Sequence, residues 1–507
     1  MKFKISLFSL FAAAVFLTAF ILKESNDKIE NESGKHEIFE NEEKENFENK
    51  EKDAELENKR FVNISPEKQN EIWNNLDNYH KNKRSQEDAQ LIPWSMYGPA
   101  GIRNMYSSDV LQKYTGRCMM VDFDRNGNYW IASAHGGLWA GPFLTVPIPY
   151  SENLNTQKIG AFATHPAHDS DFFVGTGLYR PGNDDGGTGL WRTRNNAATF
   201  QQQNLPGQTP YWFNSIKFHR TNPNIILAAS SEGLFRTSND GSSWDKIIVG
   251  DTTIENFQRI SDLQLDPSNP DIMYAVREGS IRRGFYKSTN EGLNWNLIYQ
   301  PATTIRNSRI TVCKNFPNFL FANIVDLTNK TFGIAKSTNS GANWSLDTNA
   351  RAILGNQGFN NCAIGVCPND PNTVIAGGVF MARSTNGGTE WTQVDDNYMH
   401  PDVTSIAWKS NTEVWCTCDG GVFKSTDKGA TWFTPDNVMA CSEIFYIAIS
   451  PSFELDQAIG LEHNGVCISH LGGDNYKMTL GGDGSGVAFH PFNTNKVYCS
   501  VGVFPTG

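Results

Sequence analysis

The fold is indicated by an octapeptide, Ser425-Thr426-Asp427-Lys428-Gly429-Ala430-Thr431-Trp432. Close copies of this octapeptide recur along the chain. Four upstream copies are TSNDGSSW at 237–244, STNEGLNW at 288–295, STNSGANW at 337–344 and STNGGTEW at 384–391, and TRNNAATF at 193–200 is a decayed sixth. From Asn195 to Asp427 the third positions lie 44, 51, 49, 47 and 41 residues apart. A period of this length indicates an array of repeated structural units.

Each copy, called here a turn box, has the composition of a β-hairpin turn. Its first and third residues have short polar side chains that bond backbone N–H groups, and its glycine permits a positive φ. The tryptophan opens the returning strand and offers a large apolar face. We therefore assign a structural role to the third and eighth positions: Asn239, Asn290, Asn339, Asn386, Asp427, Trp244, Trp295, Trp344, Trp391 and Trp432.

A metal loop is the alternative interpretation of a motif with hydroxyl, carboxylate and glycine. Most copies carry Asn in place of Asp, which disfavours a series of cation sites. Nine cysteines are present. Cys416 and Cys418 share one face of a predicted strand, but no second Cys or His pair has the spacing of metal ligands. We expect buried free thiols, no metal and no cofactor.

A second repeated element precedes each turn box. It consists of an apolar strand, a turn that often contains Asn-Pro, and another apolar strand. Nine such pairs predict an all-β fold, a β-propeller of four-stranded blades with about eight complete blades and a partial ninth. The predicted propeller spans 91–507 and is expected to be incomplete at its C-terminus. Pro93 to Pro99 resembles a strand that could help to close the ring.

The N-terminal region differs in composition from the repeats. Residues 1–22 contain an apolar run at 5–22 and predict a signal peptide or signal anchor, hence export and possible membrane attachment. Residues 23–64 are rich in Glu, Lys and Asn and predict a disordered acidic spacer. Residues 65–90 predict a short helical segment that begins at Ser65-Pro66.

The formal net charge of −11 disfavours nucleic acid as a partner. In a four-stranded blade the Asn-Pro turns and the turn boxes share one face, so the remaining loops and the crossings between blades form the opposite face, called here the loop face. Loops on a rigid scaffold often carry function. Glu278 and Asp419 lie on this face, as do the ligand-binding candidates Arg180, Tyr211, Trp212, His135, Arg282, Glu462, His463 and Asp483.

Two groups of loop-face residues suggest specific chemistry. Tyr211 and Trp212 have rings that could stack on a sugar, although packing between blades is the alternative. Asp184 and Asp185 are weak catalytic candidates, as paired carboxylates in a glycine-rich loop, although solvation alone would also explain them. Arg282 could bind an acidic ligand, or simply face water.

The turn box resembles the Asp-box, or BNR repeat, of sialidases, xyloglucan-cleaving glycosidases and the sortilin-type receptor domain. Gly136-Gly137-Leu138-Trp139 and Gly175-Thr176-Gly177 also resemble sortilin-like exported bacterial propellers. The resemblance implies a ligand site on the face away from the boxes. In the xyloglucan-cleaving enzymes a catalytic Asp lies in a Thr-Asp-x-Gly-Gly segment, and the matching residue here is Ala134.

Three functions remain open on the sequence alone. The leading hypothesis is an exported, cell-surface or secreted propeller that binds polysaccharide, peptide or protein through its loop face. The alternative is a glycoside hydrolase of the xyloglucanase-like group with displaced carboxylates. A further alternative is a scaffold without a ligand of its own.

Overall fold

The computed structural model describes residues 101–103, 113–141, 147–178, 186–250, 259–279, 281–394, 399–435, 439–453, 455–470, 476–493 and 495–502. These residues belong to one compact unit, Met96–Gly507. The leader, the spacer and the predicted segment at 65–90 lie outside the described residues, as do Pro93 to Pro99. No helix of the described part is long and apolar enough to cross a membrane.

The regular secondary structure of the described residues is β-strand, apart from one short helix, α1 (Arg351–Leu354). Two short strands, β1 (Ile102–Arg103) and β2 (Lys113–Tyr114), precede the blades. Blades one and two contain β3 (Cys118–Phe123), β4 (Tyr129–Ser133), β5 (Leu138–Gly141), β6 (Ile148–Pro149), β7 (Ile159–Thr164), β8 (Phe172–Thr176), β9 (Leu190–Thr193) and β10 (Gln201–Gln202).

Blades three to five continue the same order. They contain β11 (Phe213–Phe218), β12 (Ile226–Ser230), β13 (Gly233–Thr237), β14 (Asp245–Ile247), β15 (Ile260–Leu265), β16 (Met273–Arg277), β17 (Gly284–Ser288), β18 (Asn296–Tyr299), β19 (Asn307–Val312), β20 (Leu320–Val325), β21 (Thr331–Ser337) and β22 (Ser345–Asp347).

The later blades are less uniform. They contain β23 (Ala363–Cys367), β24 (Asp370–Gly377), β25 (Met381–Ser384), β26 (Thr392–Gln393), β27 (Ser405–Trp408), β28 (Val414–Cys418), β29 (Gly421–Ser425), β30 (Ile444–Ile449), β31 (Gln457–Leu461), β32 (Gly465–Ser469), β33 (Lys477–Leu480), β34 (Asp483–Phe489) and β35 (Val497–Gly502). Blade seven has three strands, and a bridge between Lys424 and Phe433 stands in place of a fourth.

Seven blades close the ring. The inner strand β3 of blade one packs against β27, β28 and β29 of blade seven. The seven inner strands β3, β7, β11, β15, β19, β23 and β27 all line one central channel. The nine predicted strand pairs are present, whereas the predicted count of about eight complete blades and a partial ninth is not confirmed. The number of sequence repeats indicates the number of blades. It does not show which blade packs against blade one to close the ring.

The eighth blade lies outside this ring as a six-stranded sheet in the order β2-β1-β33-β32-β31-β30. The chain before blade one therefore completes blade eight, since β1 pairs with β33 in parallel through Arg103 and Lys477. The hairpin of β34 and β35 packs against β30, β31 and β32. Blades seven and eight share an apolar cluster that includes Cys416, Phe423 and Ile459.

The turn boxes form hairpin turns as predicted, and the last copy shows their bonding. Ser425 Oγ donates to Asp427 Oδ1 at 2.7 Å and accepts the Gly429 N–H at 2.8 Å. Asp427 Oδ1 also accepts the Thr431 N–H at 2.9 Å. The Trp432 indole donates to the Gly429 carbonyl at 3.2 Å. Side chains thus satisfy backbone groups that the tight turn removes from the strand ladder.

A basic residue stands immediately before every turn box, and it connects neighbouring blades. In five copies its side chain donates to a backbone carbonyl in the turn box of the next blade, over 2.7 to 3.0 Å. These bonds join Arg192 to Asp240, Arg236 to Glu291, Lys287 to Ser340, Lys336 to Gly387 and Arg383 to Lys428. The sixth, Lys424, faces blade one, which has no turn box, and its Nζ lies 5.8 Å from the centre of the Trp415 ring.

The core lies between blades rather than within them. Leu227 and Leu234 of blade three pack with Leu263, Met273 and Tyr286 of blade four in one buried cluster. The second strands of most blades bury both their faces, which explains their near-continuous apolar runs; they are β4, β8, β12, β16, β20 and β28. Eight of the nine cysteines are buried and Cys499 is exposed, all of them free.

We expect Lys336→Met to destabilise the protein by about 1–2 kcal/mol, because a charged donor to the Gly387 carbonyl is lost while the apolar stem is kept. Lys330→Met is the matched control, since Lys330 is exposed. Urea unfolding of both variants measures the effect. Equal midpoints for the two variants would contradict a stabilising role for the bonds between blades.

Candidate functional site

The loop face brings together charged residues where blades one, seven and eight meet. This junction cluster consists of Arg117, His135, Asp402, Asp419, Glu443, Glu462, His463 and Asp483. Its members follow the second strand of a blade or stand on a crossing before an inner strand. Both positions belong to the loop face, so the fold itself gathers them.

Close backbone packing allows the junction to form. A Cβ at Gly116, where φ is +106°, would lie 2.4 Å from the Cys441 carbonyl oxygen. A Cβ at Gly465, where φ is +68°, would lie 1.9 Å from the Leu480 carbonyl oxygen. Only glycine fits these two positions without displacing backbone.

Asp419 is the centre of the ion pairs on the ring side of the cluster. Its Oδ1 lies 3.1 Å from Nε of Arg117, whose side chain is 2% exposed. Its Oδ2 lies 3.2 Å from Nδ1 of His463. Asn464 Nδ2 donates to the Asp419 carbonyl at 3.0 Å and so fixes blade eight against blade seven. These buried charges are paired, as buried charges must be.

Asp402 is a second carboxyl group beside Asp419. Burial, followed by the negative charge of Asp419, raises the pKa of Asp402 to about 8. Its backbone φ is +73°, a left-handed conformation. A carboxyl group with this pKa remains protonated at neutral pH and can donate a proton.

On the blade-eight side, Glu443 and Glu462 face one another. The Glu462 N–H donates to the Glu443 carbonyl at 3.0 Å, which holds the two residues side by side at the start of the β30–β31 pair. Burial raises the pKa of Glu443, and the carboxyl group of Glu462 raises it further. His135 Nδ1 lies 2.9 Å from Glu443 Oε1.

The central channel is a cavity of about 300 Å³, and a second polar site lies at its loop-face mouth. Glu278 and Arg309 line it together with the amides of Asn307 and Asn360. Burial raises the pKa of Glu278 to about 7, although the positive charges of Arg259 and other nearby arginines act to lower it. The site thus presents a carboxyl group, guanidinium groups and amides to one cavity.

Two aromatic residues lie on the crossing that leads into the channel-lining strand β11. Tyr211 is 58% exposed. Trp212 is half-buried, and the guanidinium of Arg259 lies 5.4 Å from the centre of its ring. Glu278 adjoins them, because its N–H donates to the Arg259 carbonyl at 3.0 Å. The next residue along the chain, Phe213, packs between blades.

The structure places the predicted ligand-binding residues in separate groups. His135, Glu462, His463 and Asp483 meet in the junction cluster, whereas Tyr211 and Trp212 stand at the channel mouth. Arg282 lies in the blade-four loop, where its carbonyl accepts the Tyr286 hydroxyl at 2.6 Å. Arg180, Asp184 and Asp185 lie outside the described residues. Ala134 is fully buried, so this position supplies no catalytic carboxylate.

Arg117, Asp402 and Glu443 are members of the junction cluster that the sequence analysis did not single out. Each stands on a crossing just before the inner strand of a blade. Their position in the sequence could have identified them, because crossings between blades belong to the loop face. This indication was weak, because a charged residue before a strand usually faces water.

Comparisons with known proteins support the propeller fold. A GH74 enzyme of Niastella koreensis aligns with a TM-score of 0.57 and 17% identity, over 80% of this chain and 65% of that chain. An ancestral GH74 enzyme gives 0.54 and 20%, over 74% and 57% of the two chains. The GH74 xyloglucanase of Xanthomonas campestris gives 0.54 and 14%, over 76% and 71%.

The chain thus spans 57% to 71% of the length of these three enzymes. At identities of 14% to 20% the likeness shows the fold alone. No family profile and no curated protein sequence matches the chain. The chain is therefore a β-propeller similar in fold to xyloglucanase-like proteins.

We expect Asp402→Asn to become more stable relative to the parent protein as the pH rises from about 4 to 8. In this window the unfolded parent loses the Asp402 proton and the folded parent retains it, so its stability falls with pH. Asn lacks that proton and tolerates positive φ. Urea unfolding at pH 5 and pH 8 measures the change, and an identical pH dependence of the two proteins would refute the assignment.

Proposed function

We propose that the protein is an exported, cell-surface or secreted β-propeller that binds polysaccharide across the loop-face mouth of its channel. The observation that carries this proposal is the exposed Tyr211, which precedes Trp212 on the crossing into β11, a strand that lines the channel together with polar side chains. A flat ring offers an apolar surface to a sugar ring. The carboxyl, guanidinium and amide groups provide donors and acceptors for hydroxyl groups.

Export rests on the apolar run at 5–22 and the acidic spacer at 23–64. A peptide or protein ligand is the alternative occupant of the same mouth, since aromatic and arginine side chains also anchor such ligands. The likeness in fold to glycoside hydrolases supports a carbohydrate. A non-catalytic scaffold would bind neither.

We expect Tyr211→Ala to weaken binding of a polysaccharide about tenfold, equivalent to about 1.4 kcal/mol, because a stacking surface is lost. Affinity electrophoresis against xyloglucan and a panel of β-glucans measures it. Phe316→Ala is the matched control, because Phe316 is an exposed aromatic residue on the turn-box side of blade five. Equal loss in both variants, or no loss in Tyr211→Ala, would remove the channel mouth as the binding site.

A second candidate function is glycoside hydrolysis at the junction cluster. The observation that favours it is Asp402, whose pKa of about 8 keeps a proton available beside the carboxylate of Asp419. Hydrolysis of a glycosidic bond uses one carboxyl group as acid and another as base or nucleophile. Asp184 and Asp185 remain weak candidates for this role.

Under this second proposal the parent protein releases reducing ends from xyloglucan or a β-glucan. Asp402→Asn lowers the rate at least a hundredfold, in line with the loss of a general acid. Asp184→Asn and Asp185→Asn test the weaker candidates in the same assay. No turnover by the parent protein leaves binding as the function, whereas turnover that survives all three substitutions excludes these carboxylates.

A further inference from the structure

The junction cluster contains a group of side chains with the composition and spacing of a metal site. One ligand atom each of Glu443, Glu462 and His463 lies within 4.8 Å of the other two. Glu443 and Glu462 are 9% and 8% exposed. Three potential ligands at this spacing are close enough to meet on one cation.

The hydrogen bonds of the cluster leave atoms aimed at this point. Within the described residues, Glu443 Oε2 and His463 Nε2 are buried and have no hydrogen-bond partner. The carboxylate of Glu462 approaches His463 Nε2 only to 3.6 Å, which is longer than a hydrogen bond. A buried carboxylate oxygen without a partner is costly unless something else binds it.

The surrounding residues orient the ligands. His463 Nδ1 lies 3.2 Å from Asp419 Oδ2, so a proton on Nδ1 serves this contact and leaves the Nε2 lone pair free to bind a cation. A carboxylate that accepts from one ring nitrogen while the other binds metal is the usual support for a histidine ligand. Asp483 Oδ1 accepts the backbone N–H of His463 at 2.8 Å, and Nδ1 of His135 lies 2.9 Å from Glu443 Oε1.

The charge balance of the cluster also calls for a cation. The junction cluster holds five carboxyl groups and one guanidinium group, those of Asp402, Asp419, Glu443, Glu462, Asp483 and Arg117. The two histidines add positive charge only when protonated. A divalent cation bound between Glu443 and Glu462 would compensate this negative charge.

We infer that Glu443, Glu462 and His463 form a binding site for a divalent transition-metal cation such as Zn²⁺. An imidazole with two carboxylates suits Zn²⁺, whereas Ca²⁺ and Mg²⁺ prefer oxygen ligands alone. No metal was expected from the sequence, because most turn boxes carry Asn and the cysteines lack ligand spacing, and neither pattern concerns Glu443. The site is independent of the channel mouth and of the proposed polysaccharide.

A bound cation would also fix blade eight to the ring. All three ligands belong to blade eight, whereas the groups that orient them, Asp419 and His135, belong to blades seven and one. Removal of the cation would leave the junction with excess negative charge. We therefore expect metal binding and thermal stability of the full chain to be coupled.

The test uses the chelator-treated full chain and added Zn²⁺ or Co²⁺. We expect one Zn²⁺ to bind with a dissociation constant below about 10 µM and to raise the melting temperature. In Glu462→Gln this binding is weakened at least tenfold, in line with the loss of a ligand. Co²⁺ provides a second readout, because visible absorption bands of the bound ion report an imidazole ligand and should change in His463→Gln.

Glu291→Gln is the matched control. His219, Asp271 and Glu291 form the other group of this kind among the described residues, with two of its members more exposed. This variant should bind Zn²⁺ as the parent does. Absence of stoichiometric binding to the parent, or loss of binding in Glu291→Gln with retention in Glu462→Gln, would overturn the inference.

Discussion

The bond from a basic side chain to a carbonyl of the neighbouring turn box is the directional contact that repeats from blade two to blade seven. Each blade is a small sheet that cannot bury both faces alone, so the propeller is stable only if blades pack in a fixed order. Apolar side chains between sheets supply most of the attraction, and they are not directional. The charged bond from Arg192 to Asp240, repeated four times, adds direction and fixes the rotation from one blade to the next.

This arrangement also explains why the two faces of the ring differ. The turn boxes use their polar side chains to satisfy their own backbone, and the bonds between blades occupy the same face. The loop face does not carry these bonds within the turns and between blades. Charged and aromatic residues can therefore accumulate there without disturbing the scaffold. The channel mouth and the junction cluster are two separate results of this freedom.

The junction exists because the ring closes at blade seven and the chain continues. Blade eight then presents its loops to the sides of blades one and seven instead of joining the channel. Asp419, which would otherwise be one loop residue among several, becomes the contact between Arg117 of the ring and His463 of blade eight. Dense negative charge at such a contact needs compensation, by protons at Asp402 and Glu443 or by a cation.

The sequence predicted the blades well and their arrangement poorly. The turn boxes ending in Trp244, Trp295 and Trp432 gave the strand order and the face on which to search, because their bonding is local. Ring closure could not be predicted, because it depends on β3 meeting β27 across nearly the whole ring. For the same reason His135 and His463 were recognised as loop residues, but their shared cluster with Glu443 was not. The basic residue before each box was a local signal and could have been read.

We propose that ligands bind to the loop face and not to the turn boxes. Hydrogen–deuterium exchange of the full chain with and without xyloglucan distinguishes the two faces. We expect slower exchange at the segments around Tyr211 and Glu278, and unchanged exchange in the turn boxes at 237–244 and 288–295. Protection of the turn boxes with no change at the channel mouth would contradict it.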